Sequence, residues 1–528
     1  MIDKFSRGFV NSVYDFNDFT INELLCKLAQ KMDEVITQSN ESFTYLDWLK
    51  GQGLSDEVIK LMIEWKENGT LQTIINEQLF NNLNTKIDEN KAKLDESINA
   101  INSQLETIEK QTSIYIYPNM TTDEIQLLIN DNNDITFKKG TYILEKTLNL
   151  KSNSIYRFEE SVILKSNSSI QNIFKSDNNS NMTIVGNNVV FDLNNKIDNA
   201  INIVGLNDNY ISKITISNIK IINRSLTDRK YVSGLTVRYC NNLILNNIIV
   251  NNYGYENVRN NEVYGVGLHW CNKVTVNDLK IDNNMIGLLL QACTNVTICN
   301  FDIRNTHDNG MYLLTENKNI IVKDGFLTLN EEGIASYSDD ITISNVVIDG
   351  CTNKGITLRQ GTNYVINNCI FKNNKTDIGD DNDKATKNIL ITNCIFTDSN
   401  EYSIFLRKSS YLKLDNNIFN HSKTLNELIR FADNTEEDSN DITISNNTFN
   451  LNSNVTYAIR VAPFNGGCMR LFVNCNRFNN CNTAISIFKD SGAIGGDNPY
   501  LLKNIFNNVS YPTSISGSVS NKKNEDWI

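Results

Sequence analysis

DITISN occurs at Asp340–Asn345 and again at Asp441–Asn446, and KITISN occurs at Lys213–Asn218. Apolar and polar residues alternate in each copy, so each reads as a strand with Ile inward and Thr or Ser outward. The closing Asn tolerates left-handed backbone and reads as a corner. A segment written three times implies a repetitive architecture. Working outward, a small residue followed by alternating apolar residues recurs at Ala200, Gly234, Gly265, Gly287, Gly310, Gly333, Gly355, Gly379, Ser403, Leu428, Ala458 and Ala484. The central spacings of 22 to 25 residues suit one coil of a parallel β-helix, in which each coil covers the next at roughly 4.8 Å. A second column, Phe371, Phe396, Phe419, Phe449, Phe478 and Phe506, predicts an internal ladder of stacked rings, continued upstream by Ile281, Ile303 and Ile348. Cys369 and Cys394 share one phase and read as stacked core thiols. The pattern of a leucine-rich repeat is absent, and a propeller needs longer units.

The first part of the chain has a different grammar. INELLCKLAQKMDEVI carries apolar residues at helical spacing, with Asp18 or Thr20 as cap. Further on, Ile87, Leu94, Ile101 and Ile108 are seven apart, as are Lys91, Ile98 and Leu105. These heptads predict a coiled coil, and Ile and Leu mixed at both seam positions favour a trimer over a dimer. One long helix lying on the protein is the alternative. The expected organisation is mainly β. A helical attachment region spans 1–80, a trimeric coiled coil 81–112, a parallel β-helix 113–515 and a tail 516–528.

The chain has 528 residues and a formal charge of −12, with no basic stripe that would favour nucleic acid. No apolar run reaches membrane-spanning length. The start, MIDKFSRGFVNSVYDFND, lacks the charged and apolar regions of a secretory signal, and a chain made and folded in a cytosol is expected. The 11 cysteines are odd in number and form no CxxC, and the 3 histidines are scattered, so neither a disulfide framework nor a transition-metal site is expected. No cofactor is implied.

The stretch TTDEIQLLINDNNDITFKKGTYILEKTLNLKSNSIYRFEESVILKSNSS (121–169) resembles the opening of pectate-lyase-like β-helix proteins, with a short helix at Asp123–Asn130 and a turn at Gly140–Tyr142. NELLCKLAQKMDEVI and LSDEVIKLMIEWKENGTLQTIINEQL resemble the virion-attachment region of phage tailspikes. They are most similar to the pre-neck appendage proteins of short-tailed phages of Gram-positive bacteria. This resemblance implies a homotrimer on the virion, assembled in the host cytoplasm. Its N-terminus would meet tail or collar proteins. Its β-helix would bind, and often cleave, host-surface polysaccharide or wall teichoic acid. Such proteins often carry a further C-terminal trimerisation domain. Here the coils run close to SNKKNEDWI, and the expectation is that the domain is absent or has been removed.

In a solenoid, residues at one phase of successive coils form a line. The position four after each segment start holds Arg238, His269, Gln291, Leu314, Tyr337, Arg359 and Arg407. Arginine forks onto carboxylate or phosphate, and aromatic faces hold sugar rings, so this line is the expected substrate groove; the alternative is a solvated strand face. Glycan hydrolysis needs two carboxylates, one protonated. Asp308 and Glu331 both lie two before a segment start, with Glu332 beside them, and Glu316 and Asp339 both lie six after one. Like charges stacked this closely would raise one pKa, as an acid catalyst requires. The alternative is a set of ordinary acidic turn residues. THDNG (Thr306–Gly310) and SDD (Ser338–Asp340) resemble polygalacturonase motifs only in part and in reversed order, so that activity is not carried over. GDDNDK (Gly379–Lys384) has Asp spacing able to hold a hard cation, or is a surface loop. The loop NNYGYENVRNNEVY (Asn251–Tyr264), with Tyr253, Tyr255, Glu256 and Arg259, is placed to cover the groove or meet another subunit.

The sequence therefore points to a depolymerase. A binding-only spike is the runner-up, then a lyase using Tyr337 and Arg359, and last an adhesin.

Overall fold

In the computed structural model, the described residues are 113–224, 232–255, 263–381, 386–407, 409–432, 441–452, 454–462, 471–488 and 499–516, with Glu57, Lys60 and Glu64, which are helical. Met1–Thr112 and Ser113–Ile528 are separate compact units. The expected coiled coil, almost all of the attachment region and nearly all of the tail lie outside the described residues.

Within Ser113–Ile528, the described residues form a solenoid of parallel strands in two sheets, one of 24 strands and one of 15. The ITISN segments sit in the larger sheet as expected. Ile341 and Ile343 are buried, while Thr342 and Ser344 are partly exposed. Asn218, Asn345 and Asn446 turn the corner at φ 57°, 55° and 58°. Asn pays a smaller steric penalty there than most L-residues, and its side chain adds a bond between coils. Asn368 Nδ2 donates to Asn345 Oδ1 at 2.6 Å, and Asn345 Nδ2 donates to Asp324 Oδ1 at 3.0 Å. The corner thus bends the sheet and ties each coil to its neighbour.

Inside, the six phenylalanines stack in order, with centroids 4.9, 4.6, 4.7, 4.6 and 5.5 Å apart and planes within 10°. Ile348 pairs with Phe371, continuing the column upstream. Cys369 and Cys394 are buried neighbours, the Cys369 amide lying 3.5 Å from Cys394 Sγ. The first coils are closed by the helix Thr122–Asp131, which starts with a capping box between Thr121 and Glu124. Gly140 turns at φ 143°, where a Cβ would lie 2.4 Å from Pro118. Among the described residues, no helix is long and apolar enough to cross a membrane.

The column of segment starts holds in register from Ala200 to Gly355, through the pairs Leu235–Ile201, Leu235–Val266, Val266–Leu288, Leu288–Met311, Met311–Ile334 and Ile334–Ile356. It then departs from the expectation. Ile356 pairs with Ile378 and Ile378 with Ile404, so Asp377, not Gly379, fills the place between Gly355 and Ser403. Asp377 is fully buried, with Oδ1 accepting from Asn374 Nδ2 at 2.8 Å. The two-residue shift matters for the site, because it moves Asp381 into the outward line.

Candidate functional site

The fifteen-stranded sheet presents its outer face through three positions per coil: the residue before the start and those two and four after it. Small residues show this geometry. A Cβ on Gly379 would lie 3.0 Å from Lys354 Cδ of the preceding coil, and one on Gly267 would meet both Ser233 Oγ and His269 Nε2. With the corrected register, the line four after each start reads Arg238, His269, Gln291, Leu314, Tyr337, Arg359, Asp381 and Arg407.

Arg359 is the centre of this face. Its Nη2 donates to Glu332 Oε2 at 3.0 Å, its Nη1 donates to the Tyr337 hydroxyl at 3.1 Å, and its Nε lies 2.9 Å from Asp381 Oδ2. The guanidinium also lies 5.8 Å from the Tyr312 ring centroid and 5.4 Å from that of Tyr337, within cation–π range. Lys354 pairs with the other Asp381 oxygen. Asn353 Nδ2 donates to Glu332 Oε1 at 2.9 Å. Glu332 is 1% exposed. Burial raises its carboxyl above the ordinary value, against the opposing pull of Arg359. Burial works against the Arg359 charge, but Glu332, Tyr337 and Asp381 more than offset it, so the guanidinium is held protonated more firmly than usual.

Further along the face, Arg407 Nε donates to Asp380 Oδ1 at 3.1 Å and its guanidinium lies 5.0 Å from the Phe405 ring centroid. Glu427, 1% exposed, pairs with Arg430 at 3.2 Å and with Arg460. On the earlier coils, His269 Nδ1 donates to Gln291 Oε1 at 2.9 Å. Burial lowers the His269 pKa to about 4, so the ring is neutral at pH 7.

The other expected acids lie elsewhere. Asp308 and Glu331 do occupy adjacent coils, where the Glu332 amide donates to the Asp308 carbonyl at 3.2 Å. Asp308 is buried and its Oδ1 accepts from Asn309 Nδ2 at 2.9 Å. Glu331 lines a cleft of about 430 Å³ with His307, Leu329, Asn353 and Lys375. Glu316 and Asp339 are not register partners. Lys318 pairs with Asp339, and Glu316 occupies an exposed left-handed turn at φ 68°. One Asp339 oxygen accepts from the amide and hydroxyl of Thr362 at 2.8 and 3.1 Å. Arg238, His269 and Gln291 are consecutive register partners. Tyr255 packs edge-on against His307 at 6.2 Å, beside the cleft, while Tyr253 is buried and donates to the Asp198 carbonyl at 2.5 Å. Glu256 and Arg259 lie outside the described residues.

Sequence reasoning missed Lys354, Glu427, Arg430 and Arg460, and read Asp381 only as part of the GDDNDK stretch, not as a member of the outward line. Glu427 was readable, since it precedes Leu428 as Glu332 precedes Gly333. The place of Asp381 in that line was not, because it depends on the Asp377 register. Asp380 and Asp381 are both engaged by basic side chains rather than grouped around a cation position. Among the described residues, no group of three or more His, Cys, Asp or Glu side chains is placed to hold a metal ion.

Residues 332–506 match the sequence profile of a family described as a right-handed β-helix region. The fold is a right-handed parallel β-helix. Residues 222–387 match a profile described as periplasmic copper-binding protein (NosD). No curated protein sequence matches the chain significantly. Among solved structures, the surface adhesin PfbA of Streptococcus pneumoniae is similar at 14% identity, over 77% of this chain and 93% of that one, with a TM-score of 0.35. The Dettilon tailspike protein is similar at 13% identity, over 71% and 68%, with a TM-score of 0.40. A family 28 exopolygalacturonase of Yersinia enterocolitica is similar at 11% identity, over 78% and 79%, with a TM-score of 0.32.

Proposed function

We propose that this protein is a virion spike that binds a host-surface polymer along the outer face of the fifteen-stranded sheet and hydrolyses it there. The polymer is a capsular or exopolysaccharide, or wall teichoic acid. The chain would act as a homotrimer, anchored to tail or collar proteins through its N-terminal region. One observation carries the reading: a single guanidinium, Arg359, joins two carboxylates, Glu332 and Asp381, beneath the rings of Tyr312 and Tyr337. An anionic group of the polymer competing for Arg359 would release Glu332 from its ion pair. Burial then favours the protonated acid, which donates its proton to the leaving oxygen. Asp381 on the same guanidinium supplies the second carboxylate that such hydrolysis requires. Glu331, which lines the neighbouring cleft, and the buried Asp308 on the preceding coil are the alternative pair.

The 1% exposure of Glu332 favours a second reading, in which the ion pair is a structural clasp and the spike only binds. The hydrogen bond from Arg359 to Tyr337 favours a third, a lyase with Tyr337 as base. The test is to incubate the full chain with capsular polysaccharide and wall teichoic acid from Gram-positive hosts and to analyse the fragments by mass spectrometry. New reducing ends or phosphomonoesters, lost in Glu332→Gln, support hydrolysis. Unsaturated sugars indicate the lyase. Binding without fragments leaves the spike alone.

A further inference from the structure

At the end of the same outer face, the position five after each segment start turns left-handed on three successive coils: Tyr239, Trp270 and Ala292, at φ 54°, 51° and 52°. Elsewhere the chain gives such corners mostly to Asn and Asp, among them Asn300, Asn368, Asn393 and Asn416, whose short amides and carboxylates tolerate the conformation. A bulky ring there is costly, and strain of this kind clusters at binding sites. The rings form a short stack. Tyr210 meets Tyr239 edge-on at 5.7 Å and 84°, and Tyr239 stacks on Trp270 at 4.8 Å and 10°. All three are partly exposed. The stack ends abruptly. One face of Trp270 is covered by Tyr239, and the residue in register with Trp270 on the next coil is Ala292, which brings no ring to continue the stack.

A polar group stands beside this open face. Gln291 precedes Ala292, and its Oε1 is held by the His269 Nδ1–H at 2.9 Å, which leaves the Gln291 amide N–H groups to donate. The His269 ring itself lies 5.8 Å from Trp270. An apolar plate with one oriented donor is the usual composition of a small-ligand site.

We infer that Trp270, Ala292 and Gln291 form a pyranose-binding shelf, in which the C–H face of a sugar ring packs on the indole and a hydroxyl accepts from Gln291. The inference rests on the outer face being a polymer track, and it adds a subsite two to three coils before Glu332, roughly 10–14 Å away along the solenoid at the coil spacing. It specifies a sugar-containing polymer over a purely polyol-phosphate one.

The test uses the full chain labelled with 5-fluorotryptophan, its Trp270 resonance assigned with Trp270→Phe. The probes are the methyl pyranosides of glucose, galactose, mannose, N-acetylglucosamine and N-acetylgalactosamine, titrated into the millimolar range, with glycerol as control. At least one pyranoside should shift the Trp270 signal saturably while Trp48, Trp65 and Trp527 stay fixed. Gln291→Leu should weaken that binding by roughly three- to tenfold. Ala292→Tyr should extend the stack over the open face and abolish binding while the chain stays folded, since Tyr239 already occupies this backbone geometry. No shift beyond glycerol from any pyranoside, or full binding by a folded Ala292→Tyr, would overturn the inference. Glu332→Gln should bind the pyranoside as wild type does, so failure of the hydrolytic reading and failure of the shelf are separately visible.

Discussion

Arg359 donates from Nη2 to Glu332 Oε2 at 3.0 Å while its Nε lies 2.9 Å from Asp381 Oδ2, so one side chain clasps three successive coils. Removing one partner of a buried ion pair is far costlier than removing both, because a lone buried charge remains. Arg359→Ala should therefore destabilise the β-helix by about 3–5 kcal/mol, read from denaturant midpoints. The double variant Glu332→Gln/Arg359→Met should recover most of that loss. If the double variant is no more stable than Arg359→Ala alone, the clasp is not the source of the cost.

The phenylalanine column gives an independent test of the core. Phe419 is fully buried between Phe396 at 4.6 Å and Phe449 at 4.7 Å. Phe419→Ala opens a cavity between two rings and should cost about 3–5 kcal/mol. Phe419→Leu refills part of it and should cost clearly less. Equal losses for both variants would mean that the coils collapse onto the gap and that ring stacking adds little.

A third column was not foreseen. Asn417, Asn447, Asn476 and Asn504 form a buried amide ladder, each Nδ2 donating to the next Oδ1 at 3.0 Å. Asn447 also donates to the carbonyls of Leu414 and Ser445 at 3.0 and 2.9 Å. Asn447→Asp would turn a carboxylate oxygen toward acceptors. It should cost more than Asn447→Ala, which loses about 1–3 kcal/mol through unsatisfied neighbours. Thermal melts of the two variants at pH 7 rank them.

These columns show what a single sequence can disclose about a solenoid. Ile341, Phe371 and Asn345 repeat at fixed phase, so alternation and corner chemistry were enough to place them inside, in the ladder and at the turn. The register failed where a buried acid, Asp377, stands among Gly, Ala and Ser, because burial of a carboxyl runs against every compositional expectation. That one shift hid Asp381, and with it the partner of Arg359. Glu316 and Asp339 misled for a related reason. Turn lengths differ between coils, so counting from the segment start loses phase beyond the strand. The pairing of Glu332 with Arg359 was out of reach, since it depends on how a long side chain lies back across the sheet.

His421 should make stability depend on acid pH. The ring is 4% exposed, with Nδ1 3.8 Å from Asp398 Oδ1, and burial lowers its pKa from 6.5 to about 4 despite the pull of Asp398. In the unfolded chain the ring takes a proton near its ordinary value, whereas the folded one resists it. The contribution is fully present above pH 6.5 and is lost as pH falls toward about 4, a change of about 3 kcal/mol. His421→Asn removes that share. The stability of wild type relative to the variant should therefore shrink steadily across this window, and a constant difference would contradict the assignment.

Asp377 should act in the opposite sense. It is fully buried in the column otherwise held by Gly355 and Ser403, and burial raises its carboxyl well above 3.8, opposed by the hydrogen bond from Asn374. The folded chain therefore holds a proton that the unfolded chain releases. Its contribution is fully present below pH 3.8 and is lost as pH rises through the elevated folded value. Asn has nearly the same shape, can still accept from Asn374 through its carbonyl oxygen, and does not ionise. Asp377→Asn should therefore gain on wild type as pH rises, with a higher thermal midpoint at pH 8 and little or no advantage at pH 4. A midpoint difference that stays constant between these values would mean that the carboxyl is ionised in the folded core, and that a counter-charge must reach it there.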